Sequence, residues 1–254
     1  KQVDDTLQWA SSVGQMYERT FRYLQLVGNN GIVLNPAKFR FCRKEVDFSG
    51  FTIGHGQVKP MKKHLSAIAD FPRPASTTDV KSYMALCEQV AYAFPVKTVL
   101  DPFRDLLKKG RKFYWDQQLQ TLFENSREII SGAAAKGIET FDMNRLTSLE
   151  TDWSKSGMGF WMRQKHCNCE MINPGCCSGT GWKLCMVGSK FCSQAESNYS
   201  AVEGELCAVV WALERTKHFT MQNPRLILAT AHQPLLGLMK GHDAGRLIPP
   251  RLTR

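Results

Sequence analysis

The stretch YSAVEGELCAVVWALERTKHF, residues 199–219, limits what this chain can fold into more than any other part of it. Ser200 and Glu203 stand in the S-x-x-E order of a capping box, where hydroxyl and carboxylate satisfy the orphan backbone donors at a helix start. Val202, Leu206, Val209, Val210 and Leu213 then recur at helical spacing, which predicts a long amphipathic helix that buries this stripe. On either side the pattern changes to alternation. RLTSLETDWS (145–154) and GMGFWMRQK (157–165) read as paired strands, WKLCMVGSKF (182–191) as a third strand and RLILAT (225–230) as a fourth, with a further helix from Pro234. Three strands, a helix, a strand and a helix describe a compact mixed-sheet domain.

Upstream the chain reads differently. Met16, Phe21, Leu24 and Val27 mark a helix over 15–27 that GNNG stops, and an extended IVLN follows. Strands are expected over 38–43 and 46–53, with GHG as a second turn. From Pro60 the pattern becomes helical. MKKHLSAIADF is a short basic helix ended by PRP, and Ser76 and Asp79 open a second helix through VKSYMALCEQVAYAF. DPFRDLLKKG and DQQLQTLFENSREIISGAAAK are further helical pieces on either side of a strand-like KFYW. The fold class expected is α/β of the α+β kind, with helices segregated from two regions of sheet.

With 43% hydrophobic residues in a chain of 254, a disordered tail is excluded. Lys and Arg outnumber Asp and Glu 33 to 23, and the excess is spread along the chain, which suits a polyanionic partner without proving one. No run approaches the ~20 apolar residues of a membrane span, so no membrane partner is expected. Nine cysteines are an odd count for a disulfide framework, which favours a reduced, intracellular setting.

Two groupings could carry chemistry. Asp152 ends the first strand of the last domain and Glu205 lies in the first turns of its helix. Together with an acid after the fourth strand they could converge on a pair of divalent ions ~3.5 to 4 Å apart, as phosphodiester hydrolysis requires. That third position holds Ala231, followed by His232. The alternative is structural: a strand-end Asp forms turns, and a Glu early in a helix complements its dipole. In KHCNCEMINPGCC, His166, Cys167, Cys169, Cys176 and Cys177 are enough ligands for one tetrahedral zinc, although the spacing is not C-x-x-C and unligated thiols are the other reading.

The ordered blocks GNNGIVLNPAKFRF, EVDFSGFTI, VKPMKKHLSAIADFPRPASTTDVKSYMAL, TDWSKSGMGFWMRQKHCNC and AESNYSAVEGELCAVVWALERTKHFT resemble, over essentially the whole chain, the Pol polyprotein of gypsy-type (Metaviridae-like) long-terminal-repeat retrotransposons, in particular the invertebrate branch. The resemblance implies a reverse transcriptase followed by a ribonuclease H. Residues 1–60 correspond to the C-terminal part of the polymerase palm, 61–98 to the thumb, 99–145 to a connection and 146–254 to a C-terminally truncated ribonuclease H domain. Asp4 and Asp5 take the place of the acidic pair at the polymerase hairpin, holding Mg²⁺ or Mn²⁺. A third palm carboxylate is expected upstream of the chain, so polymerisation by these residues alone is not expected.

By the same resemblance, Phe48, Gly50 and Phe51 belong to the hairpin that grips the primer end, and Lys62, Lys63, Arg73 and Lys81 are thumb contacts to phosphate. Glu88 stands where relatives carry Asn. Asp152 and Glu205 correspond to metal ligands of the ribonuclease H, Ala231 to a lost catalytic Asp, and His232 to a neighbouring nucleic-acid contact. The expected partners are an RNA–DNA hybrid and a primer-template duplex, in a cytoplasmic retroelement particle or the nucleus. Two functions compete: a reverse transcriptase/ribonuclease H piece with impaired chemistry, and a non-catalytic nucleic-acid-binding module from a domesticated or decaying element.

Overall fold

The computed structural model describes residues 5–54, 56–172, 174–221, 223–230 and 235. The first helix, α1 (Val13–Asn29), starts where the Ser12 side chain accepts the Gln15 N–H and stops at Asn30 and Gly31, whose φ of 66° only glycine adopts freely. Along this helix Val27 alone is buried. A 3₁₀ turn, Pro36–Lys38, follows in place of the strand expected from residue 38, and 39–44 is irregular.

Three antiparallel strands come next: β1 (Glu45–Phe48), β2 (Phe51–Gly54) and β3 (Gln57–Pro60). The single strand expected over 46–53 is therefore a hairpin. Ser49 and Gly50 have φ of 50° and 89°, and two consecutive positive φ values make the primed type of tight turn that matches the twist of its strands.

The helical part comprises α2 (Lys62–Ala69), α3 (Thr77–Glu88), α4 (Val96–Leu100), a 3₁₀ stretch at Asp101–Leu107 and α5 (Gln117–Ala134). Ser76 caps α3 and Asp116 caps α5. One buried cluster runs from Ile68 through Tyr83, Phe103 and Phe123 to Ala134. It crosses the expected thumb and connection segments without a break. Inside it the Tyr83 hydroxyl and Ser126 Oγ lie 2.6 Å apart, and Ser126 donates to the Phe123 carbonyl, so these polar atoms of the core are mutually satisfied. The strand expected at KFYW is absent. Trp115 instead stacks on Phe103 and meets Phe123 edge-on, so these aromatics fill the helical core.

Strand β4 (Ile138–Glu139) returns to pair with β3, closing a four-stranded sheet in the order β1-β2-β3-β4. The second sheet holds β5 (Thr147–Trp153), β6 (Gly157–Lys165), β7 (Trp182–Phe191) and β8 (Leu226–Thr230) in the order β7-β6-β5-β8. Its pairings are antiparallel except for β5 with β8. The short α6 (Gln194–Ser197) leads into α7 (Ala201–Thr220), whose capping box of Ser200 and Glu203 is formed in full. These strands and α7 match the sequence reading, and the mixed two-sheet architecture is the α+β class expected.

The buried side of α7 differs from expectation. Gly204, Ala208, Val209 and Ala212 are inside, while Val210 is half exposed and Val202, Leu206 and Leu213 are only partly covered. Small residues face the sheet because the helix lies very close to it. A Cβ on Gly204 would fall 2.2 Å from the Trp153 ring.

Candidate nucleic-acid and metal sites

Asp152 is the penultimate residue of β5, paired across the sheet with Gly159, and its side chain is exposed. The next residue, Trp153, packs against Gly204, and the residue after Gly204 is Glu205. The lack of a side chain at Gly204 thus brings the end of β5 and the first turns of α7 together, with an expected acid next to each contact residue. Glu205 is 8% exposed. Glu203 is buried as well, but its Oε2 accepts both the backbone N–H and the hydroxyl of Ser200, so the cap occupies it. Glu205 takes no part in that cap.

Strand neighbours point to opposite faces, so Glu150 shares a face with Asp152. Arg163 holds Glu150 at 2.9 Å. Burial pushes the Glu150 carboxyl above the ordinary range, while Arg163 and the Ser148 hydroxyl pull against that. Among the described residues, no third His, Cys, Asp or Glu joins Asp152 and Glu205 in a group whose ligating atoms lie within 4.8 Å of each other. Asp4, Ala231 and His232 lie outside the described residues, and Asp5 is exposed. Among the described residues, the acids expected there are thus one on β5 and one on α7, with Glu150 held by Arg163.

The residues expected in the primer-grip hairpin and the thumb are spread from the β1–β2 hairpin to α2 and α3. Phe48 and Phe51 flank the Ser49–Gly50 turn as cross-strand partners, and Phe51 meets Tyr92 edge-on at 4.9 Å. The Gly50 carbonyl accepts the Met61 N–H, and a Cβ on Gly50 would come within 3.2 Å of His64. The hairpin tip is thereby fastened to the start of α2. Lys62 and Lys63 begin that helix, where a positive charge opposes the helix dipole. Both are exposed, as are Arg73 and Lys81, and none of the four pairs with a described carboxylate. Glu88, at the position where the resemblance has Asn, is paired with Lys97 at 3.1 Å.

The cysteine cluster is a separate locality, and it narrows the expected ligand set. Cys167, Cys169, Cys176 and Cys177 gather their sulfurs within 4.8 Å of one another, and hydrogen bonds from Cys167 and Cys176 draw the Cys169 thiol down to about 7. His166 is not in the group. Its electrostatic neighbours are Arg145, Lys183, Glu139 and Asp142, and burial together with the two cations keeps it below the usual histidine value. The residues that sequence reasoning missed are Trp153, Arg163 and Gly204. Only a glycine between two acids, in EGEL, signalled any of them.

Residues 142–253 match the model of the RNase H-like domain found in reverse transcriptase. Over this stretch the chain is similar to an RNase H-like domain. The chain is 24% identical over 238 residues to the Transposon Tf2-3 and Tf2-7 polyproteins of Schizosaccharomyces pombe, covering 92% of this chain and 17% of each relative. The chain thus spans about a sixth of the length of the curated relatives it matches. Among solved structures, the foamy viral protease-reverse transcriptase dRH in complex with double-stranded DNA superposes with a TM-score of 0.74 at 15% identity, over 96% of this chain and 41% of that one. The foamy viral protease-reverse transcriptase in complex with an RNA/DNA hybrid gives 0.72 at 16% identity, over 96% of this chain and 31% of that one. The fold of this chain therefore recurs in these solved structures. RNase H-like domains generally use divalent metals such as Mg²⁺, and among the described residues no helix is long and apolar enough to cross a membrane.

Proposed function

We propose that this chain is the end of the palm with the thumb, connection and ribonuclease H portion of a gypsy-type retrotransposon reverse transcriptase, and that it holds nucleic-acid duplex while cleaving the RNA of a hybrid poorly or not at all. The observation that carries the reading is the contrast between the thumb cations and the acids of β5 and α7. From α2 to α3, Lys62, Lys63, Arg73 and Lys81 are exposed and unpaired by described acids, and Lys97 neutralises the carboxylate of Glu88. At β5 and α7, Asp152 and Glu205 have no third acid within reach among the described residues, and Ala231 offers a methyl group where the resemblance calls for an aspartate. Losing even an outer-shell partner costs ~10- to 100-fold in metal affinity or activity, and losing a ligand costs more.

The parent polyprotein would synthesise DNA on a template, with Asp4 and Asp5 in its polymerase centre, inside a cytoplasmic particle or the nucleus. Placement in the invertebrate branch rests on the ordered sequence blocks alone. A non-catalytic module from a decaying element is the second reading. Ala231 favours it, whereas the retained Asp152 and the buried Glu205 favour recent descent from an active enzyme.

Binding of a fluorescent RNA–DNA hybrid as ionic strength rises, with Mg²⁺ present and cleavage read from the same samples, tests the proposal. Salt-sensitive binding without cleavage is expected. Replacing Lys62 and Lys63 by alanine should flatten the log–log salt slope by about 0.9 for each phosphate no longer neutralised. Mg²⁺-dependent cleavage at the rate of an intact reverse transcriptase would refute impairment, and an unchanged slope would remove the thumb lysines from the interface. Ala231→Asp in a chain extended to the family's fourth carboxylate separates the two readings: recovered cleavage marks a sound catalytic scaffold, and continued silence marks the binding module.

A further inference from the structure

The connection between β6 and β7, residues 166–181, is longer than hairpin loops usually are, and it carries four of the nine cysteines. The Sγ atoms of Cys167, Cys169, Cys176 and Cys177 all lie within 4.8 Å of one another. Cys167 is 3.4 Å from Cys169 and 3.4 Å from Cys176. Four thiolates about 2.3 Å from a tetrahedral zinc stand about 3.8 Å apart, so these pairs need only a few tenths of an ångström of adjustment. A disulfide would need about 2.0 Å, and all four thiols are free.

The surroundings are arranged around sulfur. A Cβ on Gly181 would fall 2.6 Å from Cys167 Sγ and 3.1 Å from Cys176 Sγ, so only glycine leaves the sulfurs room. The backbone N–H groups of His166 and Cys167 both donate to the Gly181 carbonyl, fastening the two ends of the loop across the cluster. Cys176 is buried, and the indole N–H of Trp182 donates to its sulfur at 3.2 Å, the outer-shell contact that orients a ligand and steadies its thiolate. Lys165 donates to the Cys169 carbonyl, which sets a cation beside a centre that would carry a net charge of about −2 with zinc and four thiolates. Cys177 and Ser178 have φ of 52° and 54°, a conformation unfavourable for side-chain-bearing residues, and both are exposed. Packing does not hold them there, whereas a bond from Cys177 to a metal would.

We propose that Cys167, Cys169, Cys176 and Cys177 bind one zinc ion in a closed four-thiolate site that fixes the β6–β7 loop. With four protein ligands no position is open to water or substrate, so the site is structural. It stands independently of the reading of the acids and the thumb.

The test is the zinc content of the full chain purified from zinc-supplemented cells, followed by exchange with Co²⁺. One zinc per chain is expected, and the cobalt form should show the intense visible and near-ultraviolet bands of tetrahedral thiolate coordination. Cys167→Ser with Cys176→Ser should abolish both signals. Cys177→Ser, at an exposed position that leaves the core intact, should weaken zinc retention against a chelator by more than ~100-fold, and Trp182→Phe by ~10- to 100-fold. Cys42→Ser should change nothing. Absence of stoichiometric zinc and of cobalt bands in folded wild-type protein would overturn the proposal. So would zinc retention unaffected by Cys177→Ser, or a disulfide among these four in protein purified without oxygen.

Discussion

A Cβ added at Gly204 would sit 2.2 Å from Cδ2 and 2.3 Å from Cε2 of Trp153, well inside contact distance. In an exposed helix interior, Gly→Ala gains about 1 kcal/mol. Here overpacking, worth about 1–3 kcal/mol, should win, because the obstacle is the body of an indole ring. Gly204→Ala is therefore expected to lower the urea midpoint of unfolding, and a raised midpoint would show that Trp153 can swing aside. The same glycine explains why the buried stripe of α7 is not legible in the sequence. Counting large apolar residues assumes that they mark the inside, but a helix pressed this close to its sheet turns glycine and alanine inward and leaves Val210 half exposed. Asp152 and Glu205 are legible because a strand end and a capped helix start are local signals. Arg163 neutralising Glu150 is not, since the pair forms only when two strands register.

Among the elements, α1 presents Val13, Tyr17, Phe21 and Leu24 at 66%, 62%, 51% and 42% exposure. Four large apolar side chains on one helix with little beneath them give it weak tertiary support, whereas α5 buries Leu119, Phe123, Ile130 and Ala134. Amide hydrogen exchange should therefore be markedly faster across α1 than across α5, since local opening is easiest where little buried surface has to be uncovered. Equal protection of the two helices would contradict this. The helices and the alternating strands of the second sheet are readable because capping and one-sided burial are written locally. Alternation alone misses the β1–β2 hairpin, which the resemblance implied, and misreads the KFYW segment. Ser49–Gly50 is a turn dipeptide, but it lies inside an alternating run, so periodicity reads straight through it. The aromatics of KFYW have strand propensity, yet their partners Phe103 and Phe123 come from flanking segments.

At the level of the whole molecule, several interactions join the helical part and the first sheet to the second sheet. Arg104 lies over the Phe191 ring at 4.2 Å and donates to the Ser156 carbonyl, and Lys183 reaches Glu139 at 2.9 Å. Burial raises the Glu139 carboxyl, but hydrogen bonds from Gln57 and Lys183 more than offset it, and the net shift is downward. A depressed carboxylate stabilises the fold above its unfolded pKa, about 4.3, and that contribution is lost as pH falls through the folded value. Glu139→Gln should therefore be less stable than wild type at pH 7, with the difference in urea midpoint shrinking as the pH drops below about 4. A difference independent of pH would mean that the charge of Glu139 is not what joins the parts.

The pairing of β3 with β4 also has a mechanical consequence. Gln57 and Glu139 are partners 82 residues apart in sequence, so the intervening helices hang on a loop closed at a narrow neck. Tension applied between residues 45 and 230 would pass through the neck and bypass the loop. The helical core would stay slack until those few strand bonds part, and would then release its length in one step.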